Sequence, residues 1–182
     1  MLQQFIRANR GLAVVEFALI APVLMTVFYG CIEATRYILA TQKAAKLAHT
    51  VADVTAQSTA VSQAGLTQLF EATNDIMQPF AFASTGRVII SSLYRAPGQP
   101  NATVNWRHAG GGNLIATSAF GSVGAVPDLP VAFAFEEREN VIATEVFFQY
   151  TPLISTQFFD TMVIYRQAFY KPRFGLLTTP PA

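Results

Sequence analysis

Few side chains in this sequence have the type and position to do chemistry, and the first is Glu16. It is the only acid in the apolar run from Leu12 to Ile32. A charge near the middle of a membrane span costs about 2.5 to 3.5 kcal/mol on insertion scales, so such an acid is a candidate partner for a cation. The bland alternative is a carboxylate near one end of the run, snorkelling to the headgroups. Cys31 is the sole cysteine, so it closes no internal disulfide, and its place in the apolar run reads as a buried apolar thiol. The two histidines, His49 and His108, fall on different elements and make neither a catalytic dyad nor a zinc set. Gly110-Gly111-Gly112 opens a glycine-rich stretch reaching Gly124, but no Gly-Lys-Ser/Thr follows. It reads as a flexible connection. Glu136-Glu137-Arg138-Glu139 reads as a solvated turn, and Asp160 stands alone; no histidine lies near the cluster in sequence to complete a metal site. No constellation of convergent titratable groups marks an enzyme, and no cofactor or small-molecule substrate is expected. With a net charge of +1, no strong field draws the chain to nucleic acid.

The element that must position Glu16 is a helix. A hydrocarbon core of roughly 30 Å needs about 20 apolar residues, and residues 12–32 supply that length as a transmembrane helix. Arg7 and Arg10 flank it on one side and Arg36, Lys43 and Lys46 on the other, so basic residues alone do not orient it. The run ends in Phe28-Tyr29-Gly30-Cys31, where Gly before Cys faintly resembles a lipoprotein processing box; the bulky Phe28 and Tyr29, and an acid inside the run, argue against it. No Gly or Pro interrupts Glu33 to Gln57, while Ala40, Ala44, Leu47, Val51 and Val54 recur at helical spacing. A helix from Leu12 to Gln57 would be roughly 68 Å long, so residues 33–57 form an extension beyond the bilayer. Its alanine-rich stripe packs either on this chain's own domain or on a partner helix.

Ser58 to Gly65 breaks the helix. Leu66, Leu69, Phe70, Ile76 and Met77 mark a second one, closed by Pro79. The period then changes. Arg87 to Tyr94 and Thr103 to Arg107 read as strands around the turn cluster Ala96 to Asn101, followed by strands at Asn140 to Tyr150 and Thr161 to Tyr170. Ile142, Val146, Phe148 and Tyr150 share a face. The expected fold is α+β: a single N-terminal transmembrane helix extended into a long amphipathic helix, packed on a small antiparallel sheet. The divisions are a leader or basic tail at 1–11, the span at 12–32, the extension at 33–57, an α+β domain at 58–175 and a flexible, proline-rich tail at 176–182.

Arg10-Gly11 followed by Leu12-Ala13-Val14-Val15-Glu16-Phe17 resembles the processing site of type IV prepilins. With its internal Ala21-Pro22, the stretch is similar to the TadE/TadG group of pseudopilins from tight-adherence pilus systems. Later short matches point the same way: Met77-Gln78-Pro79-Phe80, Arg87-Val-Ile-Ile-Ser-Ser, Val104-Asn-Trp106 with Gly110-Gly-Gly, Glu139-Asn-Val-Ile and Tyr165-Arg-Gln-Ala-Phe. The resemblance implies cleavage by a prepilin peptidase between Gly11 and Leu12, and an assembly role for Glu16 and Phe17. Phe17 stands where major pilins commonly carry tyrosine, which with the greater length implies a minor pseudopilin. The implied setting is the bacterial inner membrane, crossed once with the N-terminus cytoplasmic and the domain periplasmic, and the implied partners are other pseudopilins or pilus-assembly subunits. A membrane-anchored periplasmic binding or scaffold protein unrelated to pili is the alternative, and it would need no cleavage after Gly11.

Overall fold

The computed structural model describes residues 9–129, 133–153 and 160–181. Arg7 and the rest of the first part of the leader, and Ala182 at the end of the tail, lie outside them. Helix α1 runs Asn9–Ala56, α2 Gln63–Met77 and the short α3 Phe82–Thr85; the strands are β1 Gly86–Tyr94, β2 Thr103–Gly110, β3 Asn140–Tyr150 and β4 Met162–Tyr170. The expected span and its extension thus lie on one helix of 48 residues, roughly 72 Å long, which begins within the expected leader. Pro22 sits inside it, and Thr26 Oγ1 donates to the Pro22 carbonyl at 2.9 Å.

The four strands form one antiparallel sheet in the order β2-β1-β3-β4, two hairpins joined by pairing of β1 with β3. The second half of α1 lies across β3 and β4. Ala40, Ala44, Leu47, Ala48, Val51, Ala52 and Ala56 are buried there, and the small side chains let the helix approach the sheet closely. The stripe therefore packs on the chain's own domain. Val54 departs from the expected stripe: it is 45% exposed. At 3.6 residues per turn the residue below Val51 is Thr55, which is buried and donates Oγ1 to the Val51 carbonyl at 2.7 Å.

Ser62 caps α2 by accepting from the Gly65 N–H, and Leu66, Phe70, Thr73 and Met77 turn inward. Leu66, Phe70 and Met77 join Val88, Ile90, Trp106, Ile142, Val146, Phe148 and Tyr150 in the main core between helices and sheet. The glycine triplet belongs to this packing rather than to a free linker. A Cβ on Gly110 would lie 2.3 Å from the Phe70 ring, and one on Gly112 2.3 Å from the Gly86 carbonyl.

The opposite face of the sheet is covered as well, where only one buried face was expected. Leu93, Val104, Phe120 and Ala143 form a second cluster with Leu129, Phe135 and Phe169. Residues of the segment between β2 and β3, Ser118 to Phe120 among them, lie on this face and are fastened to a buried acid. Glu145, fully buried in β3, accepts from the Ala119 N–H at 2.8 Å, the Tyr165 hydroxyl at 3.0 Å and the Ser118 hydroxyl. Burial, followed by the charge of Glu145 and its hydrogen bond, pushes the Tyr165 hydroxyl well above its ordinary range. Arg107 lies on the same face and donates Nε to Ser91 Oγ at 2.9 Å. Burial lowers its affinity for the proton, and the Glu145 charge offsets part of that.

The tail, read from sequence as flexible, has a buried anchor at Leu177. Its carbonyl accepts from Ser92 Oγ and Trp106 Nε1, each at 2.8 Å, and its N–H donates to Asn140 Oδ1 at 2.8 Å. The acidic cluster is a turn in which Arg138 has φ 62, the Arg138 N–H donates to the Arg95 carbonyl at 2.9 Å, and Glu139 pairs with Lys171.

Candidate functional site

Gly11, Leu12, Glu16 and Phe17 all lie on α1, so the acid follows Leu12 by one turn of helix. Residues four apart on a helix face the same way. Glu16 is exposed, and so are the apolar side chains around it, with Phe17 at 67% and Leu19 at 72%. Leu12 begins the stretch that is long and apolar enough to cross a membrane, and none of its most apolar portion is buried against the rest of the chain. Among the described residues nothing of this chain covers that half of the helix. A surface this apolar is stable in lipid or against other helices and not in water. Cys31 is exposed on the same rod, so its apolar surroundings are not this chain's core.

Below that half the domain grips the helix. Tyr150, at the end of β3, donates its hydroxyl to Glu33 Oε1, and the Leu153 N–H donates to Glu33 Oε2 at 3.0 Å. The Tyr37 ring meets Tyr150 edge-on with centroids 5.6 Å apart, and the Arg36 guanidinium carbon stands 5.8 Å from the centre of the Phe80 ring. Burial first, then the hydrogen bond to Glu33, pushes the Tyr150 hydroxyl up to about 12, against a lowering by Arg36. Beside this clasp lies a mostly apolar concavity of about 430 Å³ lined by Gly30, Ala34, Tyr37, Tyr150 and Met162. Sequence reading had missed the clasp. Glu33 is the first acid after the run, which is a signal, but its partner is 117 residues away.

The remaining candidates stay apart. His49 packs edge-on against Tyr170, with centroids 6.1 Å apart. His108 stacks on Phe70 at 5.8 Å, with its Nε2 3.4 Å from Gln63 Nε2. Among the described residues no three His, Cys, Asp or Glu side chains converge to hold a metal.

The family model of TadE-like proteins matches residues 11–53. The match begins at Gly11, takes in Leu12, Glu16 and Phe17, and ends within the half of α1 that packs on the sheet; the later short resemblances fall beyond it. No curated protein and no solved structure matches the chain.

Proposed function

With residues 11–53 TadE-like, we propose that the chain is a minor pseudopilin of a tight-adherence pilus system, anchored in the bacterial inner membrane and used to assemble or initiate the pilus. The observation that carries this reading is that one family match spans the Gly11-Leu12 bond, Glu16 and the apolar half of α1 together. Prepilin peptidase cuts after Gly11, and the domain stands in the periplasm with the N-terminus on the cytoplasmic side. The role is one of assembly and not of catalysis.

Cleavage leaves a cationic amino group on Leu12, four residues before Glu16. A neighbouring subunit brings its own amino terminus near the carboxylate, and in a medium of low dielectric that attraction offsets part of the cost of burying each charge. The acid is thus tolerable in an assembled bundle and unfavourable in an isolated helix.

The test is the mass of the mature N-terminus together with co-purification of membrane partners. The native chain should begin at Leu12, a bulky replacement of Gly11 should leave the leader attached, and Glu16→Ala should insert and be cut but lose partner subunits. If Glu16→Ala keeps every partner and replacement of Gly11 leaves the mass of the processed protein unchanged, Glu16 is a snorkelling acid and the pseudopilin reading fails.

A further inference from the structure

The height at which the domain grips α1 fixes where its lower edge lies. Glu33 follows directly on Ile32, the last residue of the apolar run, and the clasp holds Leu153 within 3.0 Å of the Glu33 carboxylate. Met162 stands opposite Tyr150 in the β3-β4 ladder, and Val163 opposite Gln149. The concavity between this edge and the helix reaches down to Gly30. The lower edge of the sheet therefore overlaps the last turn of the run that must lie in the bilayer.

Its side chains suit that level. Leu153, Met162 and Val163 are 62%, 39% and 56% exposed, and Tyr37, just above them on the helix, is 40% exposed. Scattered exposed apolar residues are ordinary on a protein surface. These are distinguished by being tied to the helix at the boundary between hydrocarbon and headgroups. At that depth aliphatic side chains leave water for acyl chains, and a tyrosine puts its ring among the headgroups with the hydroxyl toward water.

We infer that Leu153, Met162 and Val163 form a foot by which the domain rests in the interfacial layer of the same membrane its helix crosses, with Tyr37 at headgroup level. The occupant of this surface is lipid, because the foot is continuous with the lipid-facing part of α1. The domain is thereby seated on the bilayer and does not stand off from it on a stalk. This rests on α1 spanning the membrane, and not on the pilus role.

The test uses the full chain in phospholipid vesicles, in a Cys31→Ser background carrying one new cysteine at a time. Leu153→Cys and Val163→Cys probe the foot. Val23→Cys probes the span, and Phe174→Cys the far end. Phe174 is exposed, and the neighbouring Arg173 N–H bonds the Ala56 carbonyl at 2.9 Å, roughly 36 Å along α1 from Ile32. Each is labelled with an environment-sensitive fluorophore and quenched by lipids spin-labelled either at the headgroup or deep in the acyl chain.

Val23 should be quenched by the deep label, Leu153 and Val163 several-fold by the headgroup label, and Phe174 by neither. If Val23 is quenched while Leu153 and Val163 behave like Phe174, the span stands and the foot is wrong. If Leu153 and Val163 escape lipid quenching and become shielded from water only as the protein-to-lipid ratio rises, the surface binds a second copy and the inference is overturned. Loss of quenching at Val23 removes the span and the foot with it.

Discussion

The hydroxyl of Tyr150 donates to the carboxylate of Glu33, and this bond joins the last residue of β3 to the first turn of α1 beyond its apolar run. The Leu153 N–H completes the clasp. Glu33→Ala leaves both donors without their acceptor, at a cost of about 1 to 3 kcal/mol. Denaturation should register that loss, and hydrogen exchange should place it at the end of β3, with Glu33→Gln intermediate.

The same clasp sets a limit at alkaline pH. The Tyr150 hydroxyl is raised from 10.0 to about 12, so the folded form holds the proton more tightly than the unfolded chain does. Its contribution is complete below pH 10.0 and is lost as pH rises toward about 12. Stability measured across that window should fall less steeply in Tyr150→Phe than in the native protein. An identical slope would detach the clasp from the alkaline transition.

Replacing Ala44 or Ala48 with leucine forces extra methylenes between α1 and the sheet, where both positions are fully buried. The expected loss is about 1 to 3 kcal/mol from overpacking. Val54→Gln, further along the same helix and exposed, should change stability by no more than about 0.5 kcal/mol. Melting temperatures of the three variants check the contrast.

Glu145→Ala removes the acceptor shared by Ser118, Ala119 and Tyr165. A loss of about 3 kcal/mol follows from the unsatisfied buried donors. Limited proteolysis should then cut between Leu114 and Leu129 before it cuts the sheet. Equal protection of that segment in the variant would show that the apolar cluster around Phe120 holds it alone.

If, as proposed, the helix supplies the anchor, Cys31→Ser should leave the protein attached to the membrane. Membrane fractionation reads this directly, and release of the variant would favour lipid attachment at Cys31.

The long helix and all four strands were legible because their signals are local. Leu12 to Ile32 is uniformly apolar, and β3 carries Ile142, Val146, Phe148 and Tyr150 at period two on the core face. The contacts between distant segments were not. Nothing local in Ser118 or Ala119 announces that Glu145 will accept from them, and nothing in Leu177 announces that Trp106 and Ser92 will hold its carbonyl. The glycines at 110 and 112 read as freedom, yet their neighbours in space, the Phe70 ring and the Gly86 carbonyl, leave no room for a side chain. Val54 failed for a smaller reason: alternate steps of three and four must be chosen, and the sheet takes Thr55. Of the candidate site, Gly11, Leu12, Glu16 and Phe17 were readable as one block, while Glu33 and Tyr150 needed the fold to bring them together.

Because α1 passes without a joint from its uncovered half into the core of the domain, the two halves share one rotational phase. Each residue advances the helix by about 1.5 Å and turns it by about 100°. Inserting a single alanine between Ile32 and Glu33 would leave the clasp and the packing of Ala44, Leu47 and Val51 on the sheet intact, yet swing Glu16 about a quarter of a turn relative to the domain. The sheet therefore acts as a compass for the acid, setting the direction in which Glu16 points relative to the domain.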